Sequence, residues 1–233
     1  MNDVLVVTGT DTGVGKTVVT AALAVALRQA GRSAYVVKPA QTGVAPDEPG
    51  DLHDVRRLAG DVPGHEGIRL RQPLAPDTAA RLEGVELPGL AAQRDAVLAA
   101  AEDHDVLVEG AGGVLVHLGM HWNLLDLAQS LTAFRRAAGF VVVARAGLGT
   151  LNHTALTVQA IQQRGLHVHG VVIGSWPARP DLAAEQNLLD LPIQTGVSIL
   201  GRIPEGAGSL GAEEFAAGVP DWLPYLSGGL PPA

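Results

Sequence analysis

Val4-Leu5-Val6-Val7-Thr8-Gly9-Thr10-Asp11-Thr12-Gly13-Val14-Gly15-Lys16-Thr17 passes from a β-branched apolar run into a glycine-spaced loop. From Thr17 to Ala30 apolar residues recur at helical spacing, and Gly31 stops them. Strand, loop and helix in this order place backbone N–H groups at a helix N-terminus, where they can cradle phosphate oxygens. Lys16 then supplies an ammonium for the outer phosphates, and the Thr17 hydroxyl a ligand for Mg²⁺. The spacing departs from the usual GxxxxGK[ST]: glycine is required at position 10, which is Thr10, and Gly9 comes one residue early.

The strand-then-helix pattern repeats along the chain. Ala34 to Lys38 reads as a second strand closed by Pro39, and Asp51 to Ala59 as a helix entered after Gly50. A helix of roughly Leu90 to Ala101 precedes the strand Val106 to Glu109, which empties into Gly110-Ala111-Gly112-Gly113. Phe140 to Ala144 leads to a helix beginning near Asn152. Val168 to Ile173 ends at Gly174, and Ile199 to Ile203 is stopped by Pro204. Strands alternating with helices predict an α/β fold with a doubly wound, mostly parallel sheet flanked by helices on both faces, its ligands along the C-terminal strand edge. No linker divides the chain, so residues 1–233 read as one domain. Gly60 to Pro88 reads as loop with helical turns, and the tail after Pro220 as Gly- and Pro-rich.

Composition narrows the function. The chain is 47% hydrophobic but only 3% aromatic, which calls for an aliphatic core. A net charge of −8 with no arginine stripe argues against nucleic acid. Zero cysteines exclude disulfides and thiol catalysis. No apolar run approaches the ~18 residues of a membrane span. Met1 leads directly into a strand, so a cytoplasmic protein is expected. Of 16 basic residues only Lys16 and Lys38 are lysine. A compact ammonium on a thin stem fits a tight anion pocket that a planar guanidinium does not.

A phosphate loop needs carboxylates from neighbouring strand ends to hold its metal. Glu109 ends a strand and precedes small residues that allow close backbone approach. Asp51 opens a helix, with Asp54 an equally placed rival. Lys38 ends the second strand ahead of Pro39-Ala40-Gln41-Thr42-Gly43, putting an ammonium and a hydroxyl on the same edge, where they suit an anionic substrate. The eight histidines form no metal-ligand pattern; His167 and His169 read as structural, and His153 as a helix-start contact. No serine sits in a nucleophile elbow.

Gly9 to Thr17, Lys38-Pro39, Glu109-Gly110-Ala111-Gly112-Gly113 and Gly149-Thr150-Leu151-Asn152-His153 together resemble the dethiobiotin synthetases, within the P-loop NTPase superfamily. The matches run in order over most of the chain. The resemblance implies an ATP-dependent ligase that closes a cyclic urea from 7,8-diaminononanoate and CO₂, leaving dethiobiotin, ADP and phosphate. It implies Lys38 and Lys16 as catalytic residues, and Thr17, Asp51 and Glu109 around Mg²⁺. Nucleotide contacts are implied at Gly13, Val14, Gly15, Lys16, Thr17, Val18, Asp51, Glu109, Gly110, Ala111, Gly112, Gly174, Ser175, Ile203, Pro204 and Glu205. Substrate contacts are implied at Thr12, Thr42, Gly149, Thr150, Leu151 and Asn152. The last four resemble a loop that reaches the neighbouring subunit's substrate, so a homodimer is expected.

Two positions differ from some relatives. Gly13 stands where others carry Glu. Gly174-Ser175-Trp176-Pro177 follows Val171-Val172-Ile173, where others place an Asn that reads adenine, so the co-substrate is ATP or another nucleoside triphosphate. A ParA/MinD-like ATPase switch is the alternative of another class, but such proteins carry a lysine where this chain has Asp11. The related amidotransferases of cobyrinic-acid synthesis need a catalytic cysteine, which is absent.

Overall fold

The computed structural model describes residues 3–134 and 136–226. The end of the Gly- and Pro-rich tail, residues 227–233, lies outside them. Seven strands, β1 (Val4–Gly9), β2 (Ala34–Thr42), β3 (Gly64–Leu70), β4 (Asp105–Gly113), β5 (Ala138–Ala144), β6 (His167–Trp176) and β7 (Ile199–Pro204), form one sheet of order β3-β2-β4-β1-β5-β6-β7. Every adjacent pair is parallel. The helices are α1 (Lys16–Gln29), α2 (Asp51–Ala59), α3 (Pro76–Glu83), α4 (Leu90–Ala100), α5 (Leu124–Ala133), α6 (Thr150–Gln163), α7 (Leu182–Thr195) and α8 (Ala212–Trp222).

The sheet is wound on both faces, as the alternation predicts. Successive β1 side chains point to opposite faces. Leu5 and Val7 join the core beneath α1, α2 and α8, whereas Val4 and Val6 join the core shared with α4, α5, α6 and α7. β1 and β5 are buried along their whole length, which is why they read as unbroken apolar runs. The core is aliphatic; the Phe215–Trp222 edge contact, 5.2 Å between centroids, is among its few aromatic pairs.

Four elements differ from their sequence reading. Pro39 does not close β2, which continues to Thr42. Val36 N–H donates to Pro63 O, so even-numbered residues of β2 bond to β3 and odd-numbered ones face β4. The β4 ladder ends at Val37↔Val108, so the missing N–H of Pro39 interrupts nothing. β4 runs on through Gly113, and β6 passes Gly174 to reach Trp176. Gly60 to Pro88 contains β3 and α3; β3 is an edge strand, half wet and half polar, and carries no long apolar run. Helices α5, α7 and α8 complete the layers. α5 starts with a capping box in which Asn123 Oδ1 accepts from Leu125 N–H while Asp126 Oδ2 accepts from Asn123 N–H.

Candidate active site

β1 lies between β4 and β5 and opens at its C-terminal end into the glycine-spaced loop. Thr10 N–H donates to Val143 O, tying the start of the loop to β5. Gly13 and Gly15 adopt φ of +71° and +96°, the left-handed region that glycine enters without strain. Gly15 also has no room for a side chain: a Cβ there would lie 2.5 Å from Gly174 O, and one on Gly174 would overlap Val14 O. The loop therefore rests on the end of β6, backbone against backbone. Gly15 caps α1 without a side-chain hydrogen bond, leaving the first helical N–H groups directed at an incoming anion.

Lys16 folds back so that its Nζ donates to Asp11 O at 3.0 Å. Burial lowers its pKa, and the nearby Lys38 ammonium lowers it further. The Thr17 hydroxyl donates to Glu109 Oε1 at 2.9 Å. That oxygen also accepts from Lys38 Nζ at 2.9 Å, and Lys38 donates to Gly110 O at 3.1 Å and pairs with Asp51 Oδ2. Lys38 is 3% exposed. Burial alone would depress its pKa, but Glu109 and Asp51 outweigh that and raise it. Asp51 is pushed up by burial and pulled further down by Lys38, so it stays below the usual range.

Asp51, not Asp54, belongs to the cluster. It is the first residue of α2, and its N–H donates to Gln41 Oε1 at 2.8 Å, so a side chain from β2 does the capping that Gly50 cannot. Asp54 lies one turn on, exposed and paired with Arg57.

A cleft of about 710 Å³ collects these groups. Thr12, Gly13, Gly15, Lys16, Thr17, Val18, Lys38, Thr42, Asp51, Glu109, Ala111 and Gly112 line it. Val14 and Gly110 do not: Val14 is buried, and Gly110 makes room for Leu124. Gly174, Ser175, Ile203, Pro204 and Glu205 sit outside the cleft at the ends of β6 and β7, with Gly174 acting from beneath the loop. Gly149, Thr150, Leu151 and Asn152 also lie away from it. Gly149 caps α6 at φ +86°, Thr150 is buried with its hydroxyl 3.4 Å from that of Thr154, and Asn152 is exposed. Sequence reasoning missed Gln41, the wall formed by Pro73, Leu74, Ala75 and Pro76, and Val116. It also missed an ion pair between Asp11 and Arg145 above the loop. Among the described residues no group of three or more His, Asp or Glu is placed to hold a metal by itself.

A parallel α/β sheet whose first strand opens into such a loop, with a lysine, a threonine and two carboxylates converging at its mouth, defines a P-loop nucleotide-binding protein. The AAA domain family matches residues 3–210. The chain is 54% identical to the ATP-dependent dethiobiotin synthetase BioD of Rhodococcus jostii, covering 94% of each chain. It is 51% identical to that of Streptomyces avermitilis, covering 97% of this chain and 94% of the relative. This chain belongs to the ATP-dependent dethiobiotin synthetase family. The cell division ATPase MinD of Pyrococcus furiosus superposes with a TM-score of 0.57 over 94% of this chain and 97% of its own, but at 20% identity it shares the fold alone.

Proposed function

We infer that the chain is an ATP-dependent dethiobiotin synthetase acting on 7,8-diaminononanoate and CO₂. The observation that carries this reading is the convergence of Lys38, Glu109, Asp51 and Thr17 beside the phosphate loop in one cleft. One amine of the substrate adds to CO₂ and loses a proton, giving a carbamate. A carbamate oxygen attacks the γ-phosphorus and ADP departs. The second amine then attacks the carbonyl of the mixed anhydride, loses its proton and expels phosphate, closing the urea. Lys16 binds the transferring phosphoryl group, while Lys38 offers an ammonium to the carbamate. No protein nucleophile is required. Thr12 and Thr42, both on the cleft wall, suit contacts to the diamine.

The residues fit Mg²⁺. Thr17, Asp51 and Glu109 offer only oxygen donors, and Glu109 Oε2 is buried with no hydrogen-bond partner among the described residues. Held by Thr17, Asp51 and Glu109, Mg²⁺ would supply charge neutralisation to the phosphates during transfer. The base contacts at Ser175, Ile203, Pro204 and Glu205 belong to the same reading, as does a cytoplasmic location with its supply of ATP.

We also infer a homodimer. Gly149 to Asn152 does not line its own cleft, yet is flanked by solvent-facing Leu148 and Leu156, 89% and 58% exposed. This arrangement suits a segment that completes a partner's substrate site.

Phosphate release by the purified protein, with Mg²⁺, bicarbonate and ATP, is the direct test. Release that depends on the diamine and matches dethiobiotin detected by mass supports the synthetase. Diamine-independent release without dethiobiotin points instead to an ATPase switch. Other triphosphates in the same assay read nucleotide preference.

A further inference from the structure

Asp11 places a carboxylate inside a loop whose N–H groups face an anion. Its three acceptor groups are all engaged: Oδ1 accepts Thr12 N–H at 2.7 Å, the backbone carbonyl holds Lys16 Nζ at 3.0 Å, and Oδ2 meets Arg145 Nη2 at 2.8 Å. The same Arg145 nitrogen reaches Thr12 O at 3.5 Å. Arg145 follows directly on β5, the strand to which Thr10 N–H is tied, so its backbone is fixed relative to the loop. The pair is about half exposed, 55% for Arg145 and 52% for Asp11. At that exposure an ion pair contributes little to folding. Its position matters more than its contribution to stability. An uncompensated carboxylate within the loop would repel each phosphate that the loop binds.

We propose that Arg145 is a positioning residue for the nucleotide: it neutralises Asp11 and pins the Asp11–Thr12 turn, keeping the loop receptive to phosphate. The proposal deepens the functional reading above and rests on the loop taking a nucleoside triphosphate. It does not depend on which substrate is carboxylated.

The test is equilibrium binding of a non-hydrolysable ATP analogue with Mg²⁺, by calorimetry, without diamine, so failure of the synthetase reading leaves it intact. Arg145→Ala should weaken binding about three- to fivefold, the range that exposed ion pairs reach. Arg145→Lys should keep most of the affinity. Asp11→Asn, which retains an oxygen for Thr12 N–H, should restore affinity when added to Arg145→Ala. The deficit of Arg145→Ala should shrink as ionic strength rises, because the repulsion is screened. Unchanged affinity in Arg145→Ala overturns the proposal. So does a double variant as weak as Arg145→Ala alone, since the guanidinium would then be acting on something other than Asp11.

Discussion

Lys16 and Lys38 are both buried, but among the described residues Lys38 alone of the two has carboxylates within hydrogen-bonding reach. Burial and then Lys38 push the pKa of Lys16 below its ordinary 10.5, so the unfolded chain binds its proton more tightly. The charged Lys16 therefore costs stability at neutral pH. That cost is relieved as pH rises from its folded pKa toward 10.5. Lys16→Met should melt higher than wild type at pH 7, by about 2–4 °C for each ~1 kcal/mol relieved, while losing nucleotide binding. The gap should close near pH 10.5, which scanning fluorimetry across pH would read. Asp51 carries the opposite sign. Burial raises its pKa, but Lys38 brings it below 3.8, so its stabilisation is present above 3.8 and lost as pH falls through the folded value. Asp51→Asn should melt below wild type at pH 7, and the two curves should merge at strongly acidic pH.

Among the elements, the contact of the phosphate loop with β6 tolerates no addition. A Cβ on Gly174 would overlap Val14 O and lie 2.6 Å from Val143 Cγ1, so the loop must lift off the strand. Gly174→Ala should cost about 1–3 kcal/mol, as overpacking does. It should also weaken nucleotide binding by at least an order of magnitude in the same calorimetric assay, since the N–H groups lose their common aim. Nothing in the sequence distinguishes this glycine from one that touches nucleotide, because the crossing joins segments far apart in the chain. Residues at the C-terminal ends of apolar strands were easier to read. Lys16 and Thr17 follow from the loop that ends β1, and Glu109 and Lys38 from where the apolar runs within β4 and β2 give out, although both strands continue beyond them. β3 was hidden by the polarity of an edge strand, and the continuation of β2 through Pro39 by a ladder that ends on one side first. The choice between Asp51 and Asp54 depends on Gln41 and Lys38, which helix periodicity cannot supply. Arg145 and Asp11 are 134 positions apart, and Arg145 lies in no recognisable motif.

For the whole molecule, the unexplained surface lies on α6, α7 and the turn before them. Leu148 and Leu156 flank exposed Asn152 on one side, while Leu182, Leu189 and Ile193 recur along α7 at 73%, 62% and 82% exposure. α6 and α7 pack side by side, so a lone subunit leaves these five aliphatic side chains in water on neighbouring elements. The proposed dimer would cover them, each leucine contributing up to about 1.5–3 kcal/mol on full burial. Leu156→Glu would set a carboxylate into that contact, where desolvation is costly. Light scattering should then show the variant at 24.0 kDa, against twice that mass for wild type. The lone subunit should still bind nucleotide, because the phosphate loop, Lys38, Asp51 and Glu109 all belong to one chain. Its KM for the diamine should rise, because the proposed contact from Asn152 of the partner subunit would be lost. A wild-type protein that runs at 24.0 kDa and still makes dethiobiotin would place the whole substrate site within one chain and leave this face to another partner.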